Sequence, residues 1–190
     1  MGVQADAERL ALRDAAAWRA WLAEHHATST GVWVLRARAG SERELLTYLD
    51  AVRQALCFGW VDGTVRPMDD ETVGIWFAPR RPSGGWAATN KARVIELEAS
   101  GEMTDAGRAV IEAAKATGMW AVLDGPEAGI EPPELSAALD AVPAARAQWD
   151  AFPASARKMG LTAVAMAKRP ETRAARIAKL VADAAEGKRP

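Results

Sequence analysis

The chain is predicted to fold as an α+β protein: a small sheet covered by helices, followed by a C-terminal all-helical subdomain. Three observations carry this. Short β-branched and aromatic runs occur only in the first half, at 32–38, 60–66 and 73–78. Amphipathic stretches with apolar residues at i, i+3, i+4 and i+7 surround them. Beyond a Gly- and Pro-rich stretch at 124–134 no strand pattern returns. The expected division is therefore an α+β domain over 1–125 and a helical domain over 130–190. At 190 residues with 49% apolar and 26% charged side chains, the chain can bury a substantial core.

Asp14 is placed to cap a helix running to about His25, whose stripe is Trp18, Trp21, Leu22 and His25. Burial of the tryptophans against a sheet is favoured over a ligand platform. VWVLRAR at 32–38 reads as a strand. Thr47 and Asp50 form a capping-box pattern for a helix that turns Val52, Ala55 and Leu56 inward and stops at Gly59. An extended piece from Trp60 closes on an Asp62-Gly63 turn signal. After the acidic turn Met68-Asp-Asp-Glu71, VGIWFA at 73–78 reads as a buried strand, ended by Pro79 and Pro82. Ser83-Gly-Gly85 permits a close backbone approach. Asn90 is expected to cap a helix ending near Gly101, and Thr104 another that stops at Gly118. Downstream, a helix is expected from Ser136 to Trp149, interrupted or bent at Pro143. Others follow from Ala154 to Ala167 and from Pro170, as first residue, to about Ala185.

Composition excludes several chemistries. A single cysteine rules out an internal disulfide framework and a multi-cysteine zinc site, and fits a reducing, cytoplasmic setting. Two adjacent histidines cannot share one helix face, so no histidine metal site is expected. Cys57, at a helix C-terminus without a readable histidine partner, is not in the setting that activates a thiol. No G-x-S-x-G, Walker A or G-x-G-x-x-G sequence occurs. The N-terminus lacks a signal peptide's apolar core, and Asp6 stands where a myristoylation signal needs Ser or Thr. No run approaches the ~18 apolar residues of a membrane span. No cofactor or metal is implied by any motif, and nothing encodes an oligomeric state.

Charge is zoned although the net formal charge is only -1. Residues 78–93 hold Arg80, Arg81, Lys91 and Arg93 without an acid, a local +4. Residues 153–190 hold nine bases against three acids, and 121–150 hold six acids against Arg146. The acidic segment is read as a solvated face. With Lys91 and Arg93 in the first turn of a helix capped by Asn90, cations would sit at the unfavourable end of the dipole unless an anion joined them. That anion is a phosphate, a ligand carboxylate or one of the protein's own acids. On the last helix Arg173 falls within the apolar stripe of Ile177, Leu180 and Val181, with Arg169 and Arg176 on its flank. A cation so placed needs a partner, expected to be an acid of the N-terminal domain, or a cavity in which these arginines close over the same anion.

The expected ligand site is therefore an interdomain cluster of Arg80, Arg81, Ser83, Trp86, Asn90, Lys91, Arg93, Arg173 and Arg176, supported by Trp60, Asp62, Lys168 and Thr172. Its partner would be an anionic small molecule or an acidic protein surface, with no residue assigned a catalytic role. An enzyme alternative makes Asp62 a general base at the same pocket. A nucleic-acid alternative uses the basic C-terminal helices, but the near-neutral total disfavours it. The triplet Asp69, Asp70 and Glu71 lacks the alternating spacing of a calcium loop.

ALCFGWVDG, FAPRRPSGGW with Asn90-Lys91, Gly101-Glu-Met103 with Gly107, and AKRPETRAARI resemble the YdeI/OmpD-associated proteins of bacteria, in order and over nearly the whole chain from Trp18. The resemblance implies a small soluble protein linked to bacteriocin protection, porin association and tolerance of cationic antimicrobial peptides. Its motif positions include Cys57, Gly59, Trp60, Asp62, Arg80, Arg81, Trp86, Asn90, Lys91, Lys168, Thr172, Arg173 and Arg176. The chain departs from the pattern at Gly84-Gly85, at Ala87-Ala88 and in lacking an aromatic before the last basic motif. A more distantly related α+β fold, connected with iron handling, keeps the acidic turn as a minor alternative.

Overall fold

The computed structural model of the chain describes Gln4 and residues 7–190, so the N-terminal reading at Gly2 and Asp6 lies outside the described residues. The architecture is α+β, with a four-stranded mixed sheet in the order β1-β2-β4-β3. Its strands are β1 (Arg9–Leu10), β2 (Val32–Ala37), β3 (Trp60–Pro67) and β4 (Thr72–Pro79). β2 and β3 both pair antiparallel to β4, and the two-residue β1 joins β2 in parallel. The chain divides into two compact units. One comprises residues 1–84 and 89–116, the other residues 85–88 and 117–190.

In the first unit, α1 (Ala15–His25) starts as the sequence dictates: the Ala17 amide donates to Asp14 Oδ1 at 2.8 Å. Trp18 and Leu22 are completely buried. The Trp18 ring meets Trp60 and Phe77 edge-on at 6.3 and 5.6 Å, and its indole N–H donates to the Ala51 carbonyl. The register puts Val32, Val34, Ile75 and Phe77 on that face of the sheet. Trp33 and Trp76 meet on the opposite face at 5.3 Å, with the Arg66 guanidinium 4.1 Å over Trp33. Thr47 caps α2 (Tyr48–Cys57) by accepting from the Asp50 amide and donating to its carboxylate. The helix breaks at Gly59, whose φ is +73°.

Two further helices complete this unit, α3 (Ala88–Ala99), whose first residue Ala88 belongs to the second unit, and α4 (Asp105–Ala116). Asn90 is not the cap of α3. The helix begins at Ala88, so Asn90 is its third residue, and Lys91 and Arg93 lie beyond the first three positions. The acceptor at the start comes from far along the chain: Ala88 N–H donates to Glu127 Oε2 at 2.7 Å. Thr104 precedes α4 as expected, accepting from the Gly107 amide and donating to the Cys57 carbonyl.

The second unit contains α5 (Asp124–Glu127), α6 (Pro133–Asp140), α7 (Pro143–Ala151), α8 (Ala154–Ala165) and α9 (Pro170–Ala185). The stretch at 124–134 is not simply a connector, because it holds α5 and buries Pro126. The helix expected from Ser136 to Trp149 is two helices, each with a proline in its first turn. Leu135, Leu139, Ala145, Trp149, Leu161, Val164, Ile177, Leu180 and Ala184 form its core. Trp86 belongs to this unit and is buried against Trp120 at 5.0 Å. The close approach allowed by Gly85 is to Leu123, since a Cβ there would lie 2.8 Å from its side chain.

Candidate functional site

The first unit gathers much of the basic cluster around Asp62. Arg80 follows β4 immediately, and its amide donates to the Gly59 carbonyl at 2.9 Å. Its half-buried side chain is pulled down to about 10, chiefly by burial, and the attraction of Asp62 opposes that fall. It is charged at neutral pH. Asp62 sits where β3 loses register with β4: residues 62 and 65 face 77 and 75, leaving one extra residue on β3. Such a bulge re-aims side chains at a sheet edge. Tyr48, at the start of α2, donates its hydroxyl to Asp62 Oδ2 at 2.8 Å. The phenol is held above its ordinary range by burial first and by the Asp62 hydrogen bond second, while Arg93 and Arg36 act in the opposite sense. Arg93 is oriented by a 2.8 Å bond to Asn90 Oδ1. Arg81 and Ser83 are exposed on the loop after β4, and Lys91 is half-buried on α3. Trp60 is buried beneath this face, its indole N–H donating to the His26 carbonyl at 3.1 Å.

The remaining sequence candidates belong to the second unit. Trp86 is core rather than an open wall. Arg173 is half-buried, as its place in the apolar stripe predicts, and bonds Glu134 at 2.5 Å and the Val164 carbonyl at 3.1 Å. Arg176 donates to the Ala163 carbonyl. Both arginines thus tie α9 to its own unit. Lys168 and Thr172 are exposed near the start of α9.

The acidic segment is largely exposed, with Asp124, Glu134, Asp140 and Asp150 at the surface, but most of its charges are paired. Arg146 forks onto Glu131 with both bonds at 3.0 Å and also reaches Asp140 at 2.8 Å and Asp150 at 3.2 Å. Glu131 accepts the Trp149 indole N–H at 2.7 Å as well. The Arg146 hydrogen bond is the main cause holding Glu131 below the usual carboxylate range. Glu127 pairs with Lys158 at 2.9 Å. Five of the six acids therefore have a named cationic partner in the same unit.

Sequence reasoning passed over one feature here. A cleft of about 400 Å³ runs between the 126–129 turn and the start of α8, lined among others by Ser155, Arg157 and Lys158. The signal was present: FPASARK carries a serine and two cations near a helix start. In the acidic turn, Asp69 Oδ1 accepts from the amides of Glu71 and Thr72, which makes it a builder of the turn. Among the described residues no group of three or more His, Cys, Asp or Glu is arranged to hold a metal ion. Cys57 is buried, and burial is the main cause raising its thiol. No helix among the described residues is long and apolar enough to cross a membrane.

Two family models match the chain. One, described as Domain of unknown function (DUF8412), covers residues 10–110. The other, described as Bacteriocin-protection, YdeI or OmpD-Associated, covers residues 129–187. No curated protein and no solved structure matches. With just over half its length matched by the first model and its C-terminal part by the second, the chain belongs to the DUF8412 family and carries a bacteriocin-protection, YdeI/OmpD-associated domain.

Proposed function

We propose that the chain is a non-catalytic cytosolic binding protein of the YdeI/OmpD-associated type, serving tolerance of bacteriocins or cationic antimicrobial peptides. Its ligand is an anionic small molecule or an acidic partner surface, received by the arginine face of the first unit. The observation that carries this reading is the gathering of Arg80, Arg93 and Arg36 about the Tyr48–Asp62 pair, with Arg81 exposed beside Arg80. Arg81 is exposed to solvent, and the bond that orients Arg93 is to the neutral Asn90 side chain. Guanidinium groups offer paired donors suited to carboxylate or phosphate.

The same hydrogen bond weighs against Asp62 as a general base. Asp62 Oδ2 already accepts the Tyr48 hydroxyl, so a substrate proton would have to come to Oδ1. The test uses Arg81→Glu, an exposed change that spares the half-buried arginines. Titration calorimetry with inorganic pyrophosphate and with hexaglutamate is expected to show binding of at least one probe, weakened roughly tenfold by the reversal. The thermal midpoint should hold. Unchanged affinity in the variant, or no binding of either probe to the wild type, rejects the assignment. In cells, loss of the gene is expected to sensitise the host to a cationic antimicrobial peptide.

A further inference from the structure

The cleft beside α8 is lined by a charged set in which the acids are already partnered and one base has a buried nitrogen without an acceptor. Glu127 takes the Ala88 amide and Lys158, and Glu131 takes the fork of Arg146 and the Trp149 indole. Neither carboxylate needs anything more. Arg157 differs: its Nε–H is shut off from solvent and has no acceptor among the described residues. Its charge also lowers Glu131, after the larger effect of the Arg146 hydrogen bond. A buried donor left unpaired is costly, so a turn of the side chain that brings its Nε edge to an anion in the cleft is favoured. Ser155 lines the same wall, and α8 begins without a side-chain cap. Both features favour negative charge there.

From this geometry we infer a second ligand site, centred on Arg157 in the C-terminal unit, for a carboxylate carried on a small apolar body. With Glu127 paired to Lys158 and Glu131 to Arg146, Arg157 leaves one positive charge in the lining, which suits a singly charged ligand. Leu161, Trp149, Pro126 and Ala154 supply an apolar lining to receive the rest of the molecule. A volume of about 400 Å³ suits a ring or a short branched chain rather than a peptide. The carboxylate meets the outer guanidinium nitrogens, and a small turn of the side chain brings its Nε edge onto the second oxygen. This site does not depend on the arginine face of the other unit.

Nitrogen-15 NMR of the full chain can follow the Arg157 Nε–H and the Ser155 amide during titration with benzoate. Benzyl alcohol and inorganic phosphate, at matched ionic strength, serve as comparisons. Benzoate is expected to shift both signals saturably, and phosphate and benzyl alcohol to do so at least about tenfold more weakly. Arg157→Gln should abolish the saturable shift at Ser155, and Arg157→Lys should retain part of it. Ser155→Phe, which fills the cleft from an exposed position, should block binding with the arginine intact. The inference is overturned by a linear drift with benzoate or by equal binding of benzyl alcohol. Tighter binding of phosphate, or a response that survives both Arg157→Gln and Ser155→Phe, overturns it equally.

Discussion

Glu131 receives three donors: two nitrogens of Arg146 and the indole N–H of a fully buried Trp149. Its isosteric amide would keep the shape and reverse part of the chemistry. In Glu131→Gln the amide group turns an N–H toward at least one of those donors, leaving a partly buried donor unpaired. The expected cost is about 1–3 kcal/mol. Urea denaturation at neutral pH checks it, and a loss too small to resolve would show that the fork contributes little. This residue also marks where sequence reading stopped. The six acids of 121–150 were visible, as was the lone Arg146 among them. That three of them converge on that arginine depends on how α6 and α7 meet, which no local pattern records. Arg173 was more legible, because its position within an apolar stripe already required a partner, although that partner is Glu134 of its own unit and not the N-terminal-domain acid expected.

At the scale of elements, what was legible is what is local. Asp14, Thr47 and Thr104 each bond an amide within three residues, so their helix starts are written in a few adjacent letters. β1 was missed because two residues carry no periodicity, and its pairing with β2 is settled about two dozen residues away. The start of α3 was misplaced for a related reason. Asn90 is a good capping residue, but a carboxylate from Glu127 meets the Ala88 amide earlier and the helix begins there. Gly107 shows a close element contact hidden in a single letter. A Cβ there would lie 2.3 Å from the Cys57 carbonyl oxygen and 2.6 Å from Met103 Sδ. Backbone cannot yield as a side-chain tip can, so Gly107→Ala must force α4 away from the end of α2. The expected loss is about 1–3 kcal/mol, despite alanine's better helix propensity. A thermal midpoint equal to or above that of the wild type would show that α4 shifts freely.

Across the molecule, the near-neutral total conceals pairs made inside each unit, and this sets the response to acid. Glu102 in the first unit lies below its ordinary range, first through the Ser100 hydroxyl and then through Gln54 and Arg53. In the second unit Glu131 is lowered chiefly by Arg146, and Glu134 by a backbone amide and then by Arg173. A carboxylate with a depressed folded pKa contributes stability that is complete above its unfolded pKa, about 4.3 for Glu. That stability disappears as pH falls through the folded value, because the unfolded chain takes up protons first. Both units carry such groups, so both are expected to weaken together below about pH 4.5. Urea midpoints between about pH 7 and pH 3, followed through amides of α2 and of α7, test this. Glu131→Gln removes one titrating group from the second unit, so its midpoint there should fall less steeply with pH than that of the wild type. A flat wild-type midpoint down to about pH 3 would mean that the acids are as well served in the unfolded chain. The paired charges would then be read as ordering the fold without stabilising it.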